Sequence, residues 1–169
     1  KPIAYLMSKK FFWKYEFFIN KNVLIPRPDT EILVEQVLNI YKNKNKINFL
    51  DIGTGSGCIL LSILKERKDF FATGIDQSDD AIKICKINAY KLGVKNRVKL
   101  FKSDIDNFSN GKYDLIISNP PYINKYDLKY LDKDIANFEP KLALYGGLDG
   151  LSEIRKVISK SSELIKKNG

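Results

Sequence analysis

From residue 47 onward the apolar positions switch repeatedly between two periods. Ile47 to Ile52, with Ile47, Phe49, Leu50 and Ile52 apolar, reads as a buried strand. Gly57 to Arg67 then reads as a helix and Phe70 to Ile75 as a second buried strand. Ser78 to Leu92 has helical spacing, with Ala81, Ile82, Ile84, Cys85 and Ala89 facing inward, Ser78 as N-cap and Gly93 as stop. Arg97 to Phe101 and Tyr113 to Ser118 are further strands. Asp149 to Lys167 is a last amphipathic helix, with Leu151, Ile154, Val157, Ile158, Leu164 and Ile165 on one side. Strands alternating with helices imply an α/β protein, a parallel sheet covered on both faces.

The first 27 residues follow another rule. Phe11 to Ile19 and Val23 to Ile25 are rich in aromatic and β-branched residues, and Asn20-Lys21-Asn22 parts them, which predicts a β-hairpin. Pro26-Arg27-Pro28 breaks the strand, and Asp29-Thr30-Glu31 opens a helix carrying Ile32, Leu33, Val37, Leu38 and Tyr41. The expected division is a hairpin linker over 1–27 and a main domain over 28–169.

The chain has 169 residues, 44% hydrophobic and 29% charged, enough for one domain with a real core. Apolar runs such as Cys58 to Leu61 are too short to cross a bilayer, and no secretory signal is visible, so the expected setting is cytoplasmic, without a membrane role. There is no histidine, which removes Ser-His and Cys-His catalysis and histidine metal ligands. Cys58 and Cys85 lie in apolar helical contexts without CxxC spacing and read as buried thiols, so no metal is expected. Net charge is +9. That permits an RNA partner or proximity to the ribosome, but the lysines are spread along the chain rather than gathered into a patch.

Candidate chemistry lies in two loops. Phe49-Leu50-Asp51-Ile52-Gly53-Thr54-Gly55-Ser56-Gly57 ends the first buried strand and opens straight into a helix. Its glycines permit a sharp turn and close approach of backbone to a ligand. The spacing is GxGxG, neither GxGxxG nor a Walker loop. Asp76 closes the next strand, where a carboxylate can accept hydrogen bonds from both ribose hydroxyls. Asp51 can hold the loop or face the ligand's amino-acid part. Ser103-Asp104-Ile105, after the third strand, is where an adenine should lie. Each of these acids could be a cap or turn residue; together, at the carboxyl ends of parallel strands, they favour a nucleoside site.

The second loop is Asn119-Pro120-Pro121-Tyr122, after the apolar strand Leu115 to Ser118. Two prolines send the chain out of the sheet on a stiff path. The Asn119 side-chain oxygen and the Pro120 carbonyl can each accept one hydrogen of a substrate NH2 group, aiming its lone pair at an electrophile. Tyr122 can pack on the flat face of that group. These parts suit transfer of an activated methyl group, where orienting two bound reactants contributes on the order of 7–11 kcal/mol.

These motifs together resemble the class I methyltransferases of the HemK/PrmC type, which modify glutamine in peptide chain release factors. The likeness runs from Pro2-Ile3-Ala4-Tyr5 and Phe12 through Leu24 to Glu31, Asp51 to Gly57 and Asn119 to Ile123. It ends with Phe138-Glu139-Pro140, Leu142-Ala143-Leu144, Gly146-Gly147 and Asp149-Gly150. It implies a Rossmann-like three-layer α/β/α sandwich with sheet order 3-2-1-4-5-7-6. It implies S-adenosylmethionine as cofactor, yielding S-adenosylhomocysteine, held by Asp51, Gly53, Thr54, Gly55, Gly57, Asp76, Asp104, Ile105 and Asn119. Asn119, Pro120, Pro121 and Tyr122 would hold and activate the glutamine of a GGQ motif in the release factor. At Ile105 relatives often carry an aromatic, so apolar packing is kept and stacking lost. The resemblance also implies an N-terminal helical domain and further strands beyond this stretch, as in a piece of a longer protein.

Asn-Pro-Pro-Tyr is shared with adenine N6-methyltransferases acting on DNA or RNA, a reading that would suit the charge. Ribosomal-protein glutamine methyltransferases are a nearer alternative, from which Pro28-Asp29-Thr30-Glu31 departs. A non-catalytic cofactor-binding module is the third.

Overall fold

The computed structural model describes residues 1–169. A short helix α1 (Ile3–Leu6) leads into strands β1 (Lys9–Phe12) and β2 (Tyr15–Phe18). A 3-10 turn (Pro28–Thr30) runs into α2 (Glu31–Ile40). Then come β3 (Asn48–Ile52), α3 (Cys58–Glu66), β4 (Phe71–Asp76), α4 (Asp79–Lys91), β5 (Val98–Lys102), β6 (Leu115–Ser118), α5 (Lys133–Phe138) and α6 (Ser152–Leu164).

The four later strands form one parallel sheet in the order β5-β4-β3-β6. This is the 3-2-1-4 half of the expected order. Side chains alternate across it. Phe49 joins α2, α3, α4 and the hairpin in a large core, whereas Leu50, Ile52 and Ile75 join Ile105, Phe108, Tyr113 and Leu164 in a smaller one on the opposite face. After α6 the chain returns to β6, where Tyr113 N–H donates to the Leu164 carbonyl and Lys166 N–H to that of Tyr113. Tyr113 and Ile165 thus make a single parallel rung, and the edge of β6 from Leu115 to Ser118 is otherwise unpaired.

Local signals gave the element ends closely. The Ala81 N–H donates to Ser78 Oγ at 3.2 Å, the expected N-cap. Gly93 sits at φ 69°, its N–H bonded to the Tyr90 carbonyl and that of Val94 to Ala89, a complete Schellman stop. In α6 only Leu164 is fully buried. Ile154, Val157 and Ile165 are half-buried, and Leu151 and Ile158 point to solvent, so the apolar stripe is narrower than its spacing suggested.

The hairpin is displaced from its expected position. Its turn is Trp13-Lys14, with Phe12 paired to Tyr15, and Val23 to Ile25 is not a strand. Trp13 takes φ 57°, strained for an aromatic residue, in the position where tight hairpin turns need a positive value. Distant partners hold it there. Its N–H donates to Glu31 Oε1 at 2.7 Å and its indole Nε1–H to Glu66 Oε1 at 3.0 Å. Asn20 to Asn22 instead makes an Asx turn, Asn22 N–H donating to Asn20 Oδ1.

Residues 1–27 share one continuous core with the rest of the chain. Phe12, Phe17 and Ile19 are fully buried against it. The join is polar as well as apolar. Asn88, buried on α4, accepts the Phe18 N–H at 2.7 Å and donates to the Phe18 carbonyl at 3.0 Å and the Ser56 carbonyl at 2.8 Å. Asn88→Ala would orphan three backbone groups, two of them on the hairpin. It is expected to lower unfolding free energy by about 3 kcal/mol or more, read from urea denaturation of the variant against wild type.

Candidate active site

A cleft of about 1010 Å³ runs along the carboxyl ends of β3, β4 and β6. It is lined by Gly53, Thr54 and Gly55 from the loop after β3, by Asp76 from the end of β4, by Asp104 and Ile105 beyond β5, and by Asn119, Pro120 and Pro121 after β6. The topology brings these expected residues to one cleft although they are scattered through the sequence.

The loop is built to expose backbone. Gly53 and Gly55 hold φ 74° and 54°, and a Cβ on Gly53 would meet nothing within 4 Å. Both are open on the side where a ligand would approach. Gly57 has a different task. A Cβ there would lie 2.5 Å from Cys85 Sγ and 2.8 Å from Leu61 Cδ1, so this glycine lets α3 pack onto α4, and it does not line the cleft. Asp76 braces the loop, its carboxylate accepting the Gly55 and Ser78 N–H groups at 2.9 Å each. Burial raises its pKa despite those two donors. Each oxygen keeps a further lone pair for a ligand hydroxyl.

Asp51 lies beneath the loop, 1% exposed and outside the cleft lining. Its Oδ2 accepts the Thr54 hydroxyl at 2.9 Å, while Oδ1 has no partner. Burial pushes its pKa up to about 7, against the Thr54 bond and with some help from the Asp76 charge. Asp104 is exposed and engaged locally, accepting the backbone and side-chain N–H groups of Asn107, which hold its pKa low. Ile105 is buried with Phe108, Leu50 and Ile75 and offers an apolar floor at the cleft edge.

On the other side, Asn119 leaves β6 with its Nδ2 donating to Thr30 Oγ1 at 3.4 Å. The Pro120 carbonyl accepts no backbone N–H. Tyr122 is 66% exposed and stands outside the lining. The Pro121-Tyr122 path is buttressed from behind by Gly146 and Gly150. A Cβ on Gly146 would fall 2.7 Å from the Pro121 carbonyl, and one on Gly150 2.5 Å from that of Tyr122. Ile123 and Tyr145 complete the seam with one parallel bridge.

Residues 23–30 form a wall that chemistry-first reading of the sequence did not assign to the site. Val23, Leu24, Pro26, Arg27 and Thr30 all line the cleft. Arg27 pairs with Glu139 at 2.5 Å, and the buried carboxylate also accepts the Ile25 N–H at 3.3 Å. Tyr5 Oη donates to the Val23 carbonyl at 2.6 Å. The available signal was the density of Pro, Arg and Thr between Pro26 and Glu31, a segment too short to show a period. No group of three or more Cys, Asp or Glu residues is placed to hold a metal ion, and no helix is long and apolar enough to cross a membrane.

Fold and site together define the class I methyltransferase architecture. The catalytic domain of hMettl16, solved with the MAT2A 3′UTR hairpin 6, superposes with a TM-score of 0.71 at 16% identity, over 89% of this chain and 58% of that one. The methyltransferase small domain description matches residues 28–137, and the chain belongs to that family. The release factor glutamine methyltransferase of Buchnera aphidicola (subsp. Schizaphis graminum) is 44% identical over 169 residues, all of this chain and 60% of that protein. That of Clostridium acetobutylicum is 43% identical over 99% of this chain and 60% of its own length. The bifunctional methyltransferase of Rickettsia bellii is 37% identical, with 35% of its length covered. The chain therefore spans about 60% of the length of the release factor glutamine methyltransferases it matches.

Asp51 makes stability depend on pH. Between the ordinary carboxylate pKa near 4 and its folded value of about 7, the native state keeps a proton that the unfolded chain has released. Its contribution is full at the acid end and is lost as pH rises toward 7. Melting temperature is expected to fall from about pH 5 to pH 7 and then level off, by thermal denaturation. Asp51→Asn should flatten most of that slope, leaving the smaller part due to Asp76.

Proposed function

We propose that this chain carries the transfer site of an enzyme that moves a methyl group from S-adenosylmethionine to the side-chain amide nitrogen of glutamine in the GGQ motif of a peptide chain release factor. The observation that carries the reading is that Asn119-Pro120 opens onto the same cleft as the Gly53–Gly55 loop and Asp76. The names of the relatives support the choice of acceptor. Residues 28–169 would hold the reactants, and residues 1–27 would brace the acceptor wall.

The residues fit the cofactor. Gly53 and Gly55 leave room beside their Cα atoms for an amino-acid moiety, Asp76 has lone pairs for ribose hydroxyls, and Ile105 with Asp104 borders the place for adenine. Bound there, S-adenosylmethionine supplies a sulfonium-activated methyl group. Asn119 Oδ1 and the Pro120 carbonyl accept the two hydrogens of the acceptor NH2 and turn its lone pair toward the cofactor end. An amide nitrogen is a weak nucleophile because its lone pair is delocalised. Hydrogen bonds that strengthen as this nitrogen becomes positive stabilise the transition state more than the ground state. Tyr122, exposed beyond the cleft lining, would meet the flanks of an incoming loop. The reaction would take place in the cytoplasm, near the ribosome that release factors serve. Transfer would form the N–C bond as the S–C bond breaks, releasing S-adenosylhomocysteine; the extra amide proton would then pass to water, so the site needs no histidine.

The test is labelled-methyl transfer by the intact protein to a GGQ-containing release factor, beside DNA and RNA. Label is expected on the release factor alone, at the glutamine. A methylated nucleic acid with an untouched release factor would overturn the reading. Asn119→Ala should reduce transfer by about 1000-fold, since both the acceptor bond and the path of the loop change. Its affinity for S-adenosylhomocysteine, by calorimetry, should change far less.

A further inference from the structure

We infer that Thr30 is a positioning residue, which fixes the rotation of the Asn119 side-chain amide so that its oxygen faces the acceptor. The inference rests on the proposed role of Asn119. Thr30 and Asn119 line the same cleft from elements 89 positions apart, and Asn119 Nδ2 donates to Thr30 Oγ1 at 3.4 Å. An amide is planar, so engaging Nδ2 at the strap sets the direction of Oδ1 as well. No hydrogen bond within the chain occupies Oδ1. If the amide turned over, two N–H donors would face the NH2 group that has to be held, and donor would meet donor.

Thr30 can serve this purpose because it is itself tethered on both sides. Its N–H donates to the Arg27 carbonyl at 3.1 Å. Arg27 is anchored by its ion pair with Glu139, whose side chain is 1% exposed. The next residue, Glu31, accepts the Trp13 N–H at 2.7 Å. The hydroxyl is therefore delivered to Asn119 by a strap pinned at one end to Glu139, just past α5, and at the other to the hairpin. Asn119 follows the last strand residue and precedes two prolines, so its backbone is stiff, and the remaining freedom is rotation of the side chain. A side-chain partner is what removes it.

Thr30→Val keeps shape and removes the hydroxyl; Thr30→Ser keeps the hydroxyl. In the intact protein, Thr30→Val is expected to lower kcat for the release factor by about tenfold, the size of one lost hydrogen bond felt in the transition state. KM for the release factor and affinity for S-adenosylhomocysteine should stay within about threefold, because neither depends on that bond. Thr30→Ser should restore kcat. A second measurement does not depend on the acceptor: the Nδ2 proton resonances of Asn119, assigned by their loss in Asn119→Ala. They should be distinct and slowly exchanging in the wild type, shifted and faster in Thr30→Val, and restored in Thr30→Ser. Unchanged resonances in Thr30→Val, or equal loss of kcat in Thr30→Val and Thr30→Ser, would overturn the inference. If the wild type fails on the release factor, the acceptor reading falls, and the resonances still decide the role of Thr30.

Discussion

One buried amide joins the parts that make this site. Asn88 hangs from α4 and saturates both backbone groups of Phe18 in the hairpin and the carbonyl of Ser56 in the glycine loop. Three elements that share no sequence neighbourhood are held in register by one side chain. In a dry interior those groups have no water to fall back on, so the bonds cost little to keep and much to lose. From this point the rest follows: the loop is fixed over β3, the hairpin is fixed against α4, and the hairpin turn in turn supplies Trp13 to Glu31 and Glu66.

What the sequence disclosed was what its neighbours decide. Ser78 and Gly93 were legible because a cap or a Schellman stop is settled within five or six residues. Buried strands were legible because short runs around β3 and β4 are rich in apolar residues and bounded by turn signals. The hairpin turn was misplaced because Asn20 to Asn22 is an attractive local turn, whereas Trp13 needs carboxylates 18 and 53 residues away to hold its left-handed conformation. α5 escaped notice because six residues show no period.

The site shows the same division. Gly53, Gly55, Asp76 and Asn119 were singled out from residue type and strand ends, and the fold gathers them at one cleft. Gly57 looked identical to its neighbours in the motif, but Cys85 stands against it and makes it a packing residue. Gly146 and Gly150 drew attention only through a resemblance; the structure supplies the reason, which is room for the carbonyls of Pro121 and Tyr122. The strap from Val23 to Thr30 stood out only through the resemblance, and its place in the cleft could not be read, since that lies in contacts with Glu139 and Asn119. The chemistry suits such a scaffold. Burial pushes the Cys58 thiol up to about 12 and keeps it inert, so what the cleft offers is orientation rather than nucleophiles.

The two halves of the cleft differ in how far along the chain they must reach. Asp76 closes on Gly55 over 21 positions, whereas Arg27 closes on Glu139 over 112. Loop-closure entropy grows slowly with length, yet the longer closure can form only after the sheet has brought its ends near. The wall that carries Thr30 thus rests on contacts of much longer range than the glycine loop does. One side of the cleft is closed by the local order of the chain, and the other only by most of its length.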